Sequence, residues 1–155
     1  MASERLILDD IRRTSGAALL RMADDVGFDA LGAGWVLDET AGRWWYLLVS
    51  PMIDSKGPRW VYERLLALFA KLHLPEGISP LDIRIASPRE EGFRQFPIRV
   101  DGTPEGASSA TEIRDLLIGT MHISAMYLYR MRPLGQSSGD RARRFDARYR
   151  ELMAA

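Results

Sequence analysis

Chemistry is easiest to place in the run Ser50-Pro51-Met52-Ile53-Asp54-Ser55-Lys56-Gly57-Pro58-Arg59. It joins an apolar run to the start of a helical pattern, where free N–H groups and the helix dipole favour an anion. Ser55, Lys56 and Arg59 offer a hydroxyl, an ammonium and a guanidinium to a phosphate or carboxylate. The run lacks the G-x-x-x-x-G-K-[ST] pattern of a phosphate-binding loop, and Pro58 removes one donor. Helix capping by Ser55 or Gly57 is the plainer account of the same residues.

A second concentration of charge lies at the C-terminal end. Arg141, Arg143, Arg144, Arg148 and Arg150 stand against Asp140, Asp146 and Glu151, with Arg130 and Arg132 upstream. Such an arm can contact nucleic acid or an acidic partner, or it can dock by Phe145 and Tyr149 with its arginines in water. The whole chain carries 21 basic and 21 acidic residues, a formal net charge of zero. A dedicated nucleic-acid binder usually has a basic surplus, so nucleic acid ranks behind protein as a partner. Lys56 and Lys71 are the only lysines among the basic residues, a bias expected of a GC-rich bacterial genome.

Catalysis and metal binding find little support. The chain has no cysteine and two histidines, His73 and His122. A metal centre needs three or four ligands, and the i−4 and i+4 neighbours of His122 are Ile118 and Met126. On a helix, the adjacent carboxylates Asp9-Asp10 and Asp24-Asp25 diverge by about 100°. Glu90 and Glu91 sit near Arg89 and Arg94, and Glu63 reads as exposed. No catalytic residue, metal or cofactor is expected, and the chain reads as a non-enzyme.

The elements that must position these groups begin with a helix over residues 4–26, capped by Ser3 and ended by Gly27. Gly32-Ala33-Gly34 breaks the chain, and a hairpin follows over 35–50. In its second strand Trp44, Tyr46 and Leu48 face one way, and Trp45, Leu47 and Val49 the other. Both faces must be covered, because large aromatic rings on both sides are costly to leave in water. A second helix starts at Pro58, with Val61, Leu65, Leu68, Phe69 and Leu72 on one stripe.

Residues 81–86 and 96–100 alternate as a second hairpin, with Pro97 on an edge strand. Residues 111–131 support two readings. Met121, Ile123, Ala125, Tyr127 and Tyr129 alternate as in a strand. Ile113, Leu117, Thr120, Ser124, Tyr127 and Met131 are spaced as on a helix, with Ser109 and Glu112 as a capping box. A helix throughout is preferred. Residues 134–139 read as a flexible linker and 140–155 as a basic amphipathic helix.

The expected fold is therefore α+β: one domain over 1–133, a four-stranded antiparallel sheet of two hairpins packed with helices, in the order α-β-β-α-β-β-α-α. That order resembles, in element succession alone, the small secretion chaperones and related dimeric adaptors. The resemblance implies a dimeric adaptor acting on another protein.

The function expected is a non-catalytic binding or adaptor module, acting as a homodimer on a protein partner. Ile118, Ile123, Met126 and Tyr129, off the seam of the long helix, are its expected interface. The alternative is phosphate-ligand or nucleic-acid binding through Lys56, Arg59 and the Arg-rich helix. No apolar run approaches the roughly 20 residues of a membrane span, so no membrane partner is expected, and a cytoplasmic location is the default.

Overall fold

In this computed structural model, residues 7–94, 96–100, 110–133 and 138–155 are described. The first helix, α1 (Asp10–Asp25), starts where Asp9 accepts the Arg12 backbone N–H at 2.8 Å. It stops in a Schellman turn. Gly27, at φ +79°, donates to Asp24, and the Phe28 N–H reaches the Ala23 carbonyl. The expected cap Ser3 lies outside the described residues.

Next come β1 (Gly32–Asp38) and β2 (Arg43–Val49), joined by a turn in which Asp38 accepts the Ala41 N–H and Gly42 takes φ +66°. Gly32-Ala33-Gly34, expected as a break, belongs to β1. Glycine is required there: a Cβ on Gly34 would lie 2.6 Å from the Tyr127 carbonyl oxygen of the neighbouring strand. A short α2 (Met52–Ser55) and the longer α3 (Pro58–Leu72) then cross over to β3 (Ile83–Ala86).

This crossover overturns the second expected hairpin. β3 pairs parallel to β2, which a helical connection permits and a tight turn does not. Leu81 falls in a 3-10 turn (Pro80–Asp82) and is 78% exposed. Residues 96–100 form no strand. Pro97 has no N–H for a ladder, and Val100 makes a single bridge with Met131. After a short α4 (Glu91–Arg94), the expected helix over 111–131 is instead a hairpin: β4 (Thr111–Ile118) and β5 (Met121–Met131). Gly119 turns it at φ +57°, as a two-residue loop requires. Glu112, expected in a capping box, is a β4 residue, and Ser109 lies outside the described residues.

The sheet is thus five-stranded and mixed, in the order β3-β2-β1-β5-β4. α5 (Ser138–Ala154) closes the chain. It begins two residues before the expected Asp140, and residues 134–137 of the expected linker lie outside the described residues.

One face of the sheet is roofed by α1, α3 and α5. Trp35, Trp44, Tyr46, Tyr127 and Tyr129 pack there with Leu19, Leu65, Phe69 and Phe145. Three aromatic tips on this face donate to carbonyls of α1: Trp35 to Arg12 at 3.0 Å, Tyr129 to Arg13 at 2.5 Å, and Tyr46 to Gly16 at 2.7 Å. Buried phenols need such acceptors. The same burial raises the pKa values of Tyr46 and Tyr129 well above that of a free phenol. The opposite face carries a smaller core of Val49, Phe96, Ile113, Ile123, Met126, Leu128 and Met131. No described helix is long and apolar enough to cross a membrane.

Candidate functional site

The two faces are covered unequally. On the second face, α4 and residues 96–100 lie against only part of the sheet, and an open cleft of about 350 Å³ remains. Val36 of β1, Trp45 and Leu47 of β2, and Ile123 and Met126 of β5 form its floor with Met121, and Phe93 of α4 forms one side. The lining also includes Arg84 and Glu90, and the cleft reaches past β3 to Tyr62 of α3.

Trp45 is the fixed wall of this cleft. Its indole N–H donates to Asp38 at 3.1 Å, and the guanidinium carbons of Arg84 and Arg43 lie 4.0 and 4.2 Å from its ring centroid. Arg43 is held in turn by Asp82 at 2.5 Å. The Ala41 N–H, the Trp45 indole and the Arg84 charge keep the Asp38 carboxyl below its ordinary pKa, so it stays an acceptor. Two cation–π contacts and one charge-assisted hydrogen bond therefore hold a large half-buried ring at the edge of an apolar hollow.

The expected anion residues separate. Ser55 and Lys56 line a second cleft, of about 430 Å³, with Trp60, Arg64, Arg143 and Arg150. Arg59 lies outside it, 91% exposed and paired with Glu63 at 2.8 Å.

The arginines of α5 divide in the same way, because helical spacing sorts them into stripes. Ala142, Phe145, Tyr149 and Leu152 pack on the core. Arg143 and Arg150 share the stripe of Asp146, facing Lys56. Arg141 and Arg144 turn to Asp29, at 3.3 and 3.7 Å, and Arg148 donates to the Asp25 carbonyl and to Glu151.

The four residues expected at an interface are all buried within the chain: Ile118 and Ile123 at 5% exposure, Met126 at 0% and Tyr129 at 2%. On a helix they would be surplus to the core stripe; in a two-faced hairpin each has a core to enter, Tyr129 on one side and Ile118, Ile123 and Met126 on the other. Ile123 and Met126 return as the floor of the apolar cleft. His73 sits exposed after α3 at φ +62°, and His122, exposed, lies 3.6 Å from Asp115. Among the described residues, no three His, Asp or Glu side chains gather to hold a metal ion. Of the cleft's wall, Val36 and Phe93 carry no signal in the sequence, whereas Trp45, on a face expected to be covered, stands half-buried beside the opening; the apolar outer side of β2 is the one available signal. Compared with family models, curated proteins and solved structures, the chain matches none.

Proposed function

We propose that the protein is a non-catalytic binding module that seats apolar side chains of a protein partner in the cleft beside Trp45. The observation that carries this reading is an apolar hollow on the second sheet face, lined by Val36, Trp45, Leu47, Met121 and Phe93 over Ile123 and Met126. Leaving such surface open costs about 25 cal/mol for each Å² of apolar area, which an apolar ligand recovers. Met121, half-buried at the rim, gives the hollow a soft, adaptable contact suited to varied side chains, with Met126 packed beneath it. Arg84 and Glu90, of opposite charge, suit a zwitterionic peptide better than a strongly charged ligand.

Selection of a displayed peptide library against the intact protein, followed by NMR of its methionine methyl groups, tests this. Amphipathic peptides are expected to shift the Met121 and Met126 methyl signals and to lose binding in Leu47→Glu. Selected peptides that leave both methyls unmoved, or that bind Leu47→Glu equally, refute the reading.

The same reading takes the protein as a homodimer. Its support is the outer edge of β4, which has no partner strand among the described residues, and Leu117, which is 68% exposed on it. Glu112 and Arg114 on that edge neutralise each other at 2.8 Å.

A further inference from the structure

We propose that the cleft between the α2–α3 corner and α5 binds the phosphomonoester group of a small molecule. Charge is the first argument. Among the described residues lining it, Lys56, Arg64, Arg143 and Arg150 face one carboxylate, Asp146. That carboxylate is shared between Arg64 and Arg150, each at 3.1 Å. Arg64 is fully engaged elsewhere too, lying 4.2 Å from the Trp60 ring centroid and 5.3 Å from that of Tyr149. It is a pier that holds the cleft open, not a ligand contact.

The Lys56 ammonium, by contrast, has as its one described interaction the Trp60 ring, 5.6 Å away. Among the described residues, Arg143 pairs with Asp140, one turn up its own helix. A dianion beside Lys56 and Arg143 would meet a compact ammonium, a forked guanidinium and the Ser55 hydroxyl, which together match phosphate oxygens. Gly57, at the start of α3, has no side chain to cap the first-turn N–H groups, so their partial charge adds to the same field.

Size and shape choose the small molecule over a nucleic acid. The cleft is a hollow of about 430 Å³ walled by two helices, the range of small-ligand sites. A polynucleotide needs an extended basic track. α5 does not offer one, because Arg141 and Arg144 are spent on Asp29, on another side of the helix.

The test is an amide NMR titration with phenyl phosphate at low ionic strength, on the full chain and on Lys56→Ala, Arg143→Ala and Arg59→Ala. Lys56 and Arg143 are exposed, so their variants keep the fold, as circular dichroism will check. Saturable shifts at Ser55, Lys56, Ala142 and Arg143 are expected. Binding should weaken about tenfold in each of the first two variants, as loss of a charged hydrogen bond implies, and stay unchanged in Arg59→Ala. Absence of saturable shifts, or an affinity in Lys56→Ala and Arg143→Ala unchanged from that of the unaltered chain, overturns the proposal. So does a labelled single-stranded oligonucleotide that binds the same residues more tightly than phenyl phosphate. None of these readings touches Met121 or Met126, so the peptide reading stands or falls separately.

Discussion

Arg130 is the charge this chain has gone furthest to enclose. It is 2% exposed, and its guanidinium meets both Asp24 carboxylate oxygens at 2.8 Å. Burial alone would lower its pKa; the hydrogen-bonded Asp24 carboxylate more than offsets this, so the guanidinium stays charged. The partners are not equivalent. Asp24 is 30% exposed and can return to water, whereas Arg130 cannot. Asp24→Ala, which strands a buried cation, should therefore cost about 3–5 kcal/mol. Arg130→Met, which fills the same space, should cost clearly less. Urea unfolding of both variants checks the order, and a larger loss in Arg130→Met would contradict it.

Asp9 offers a gentler case at the same scale. As the N-cap of α1 it contributes about 1 kcal/mol. The Arg12 backbone N–H, reinforced by the Arg12 side chain, lowers its pKa below the ordinary 3.8. A lowered carboxyl stabilises the fold only while ionised. The stability gap between the protein and Asp9→Ala should hold at neutral pH and close as pH falls below that ordinary value. A gap that widens in acid would reject this account.

Between elements, α1 comes close to the sheet at Gly16. A Cβ there would lie 2.5 Å from the Trp35 indole nitrogen and 2.5 Å from the Tyr129 hydroxyl, both already bonded to α1 carbonyls. Replacing a mid-helix glycine by alanine ordinarily gains about 1 kcal/mol. Here Gly16→Ala should lose about 1–3 kcal/mol, because overpacking outweighs propensity; thermal melting decides the sign.

The same scale explains why β4 and β5 were hidden. Asp115, at φ +52°, and Ser124 opposite it drop out of the strand pairing, and a second irregularity lies where Ala33 and Gly34 of β1 face Arg130 and Leu128. Each shifts the alternation by one residue. The second-face residues of β5, Ile123, Met126, Leu128 and Met131, are consequently spaced 3, 2, 3, which breaks the period of two that marks a strand in one dimension. β2, without a bulge, kept period two and was legible.

For the molecule as a whole, light scattering during gel filtration is expected to give twice the chain mass. Leu117→Lys on the open β4 edge should halve it, since a charge there opposes strand pairing. A protein that runs at the single-chain mass at high concentration would remove the homodimer and leave the cleft beside Trp45 untouched.

What the amino-acid order settled alone was whatever depends on near neighbours. The α+β class, the Gly27 stop of α1, Pro58 at the head of α3, the two-faced β2 and the amphipathic stripe of α5 all follow from spacing over a few residues. Tertiary structure decided the rest. Whether β3 would pair with β2 or with residues 96–100, and whether the Arg-rich helix would present one basic stripe or divide it between Asp29 and Lys56, turned on contacts between segments far apart in the chain. The same is true of how much of the second sheet face is left open. Periodicity records which side of an element is apolar; it carries no record of which distant surface comes to meet it.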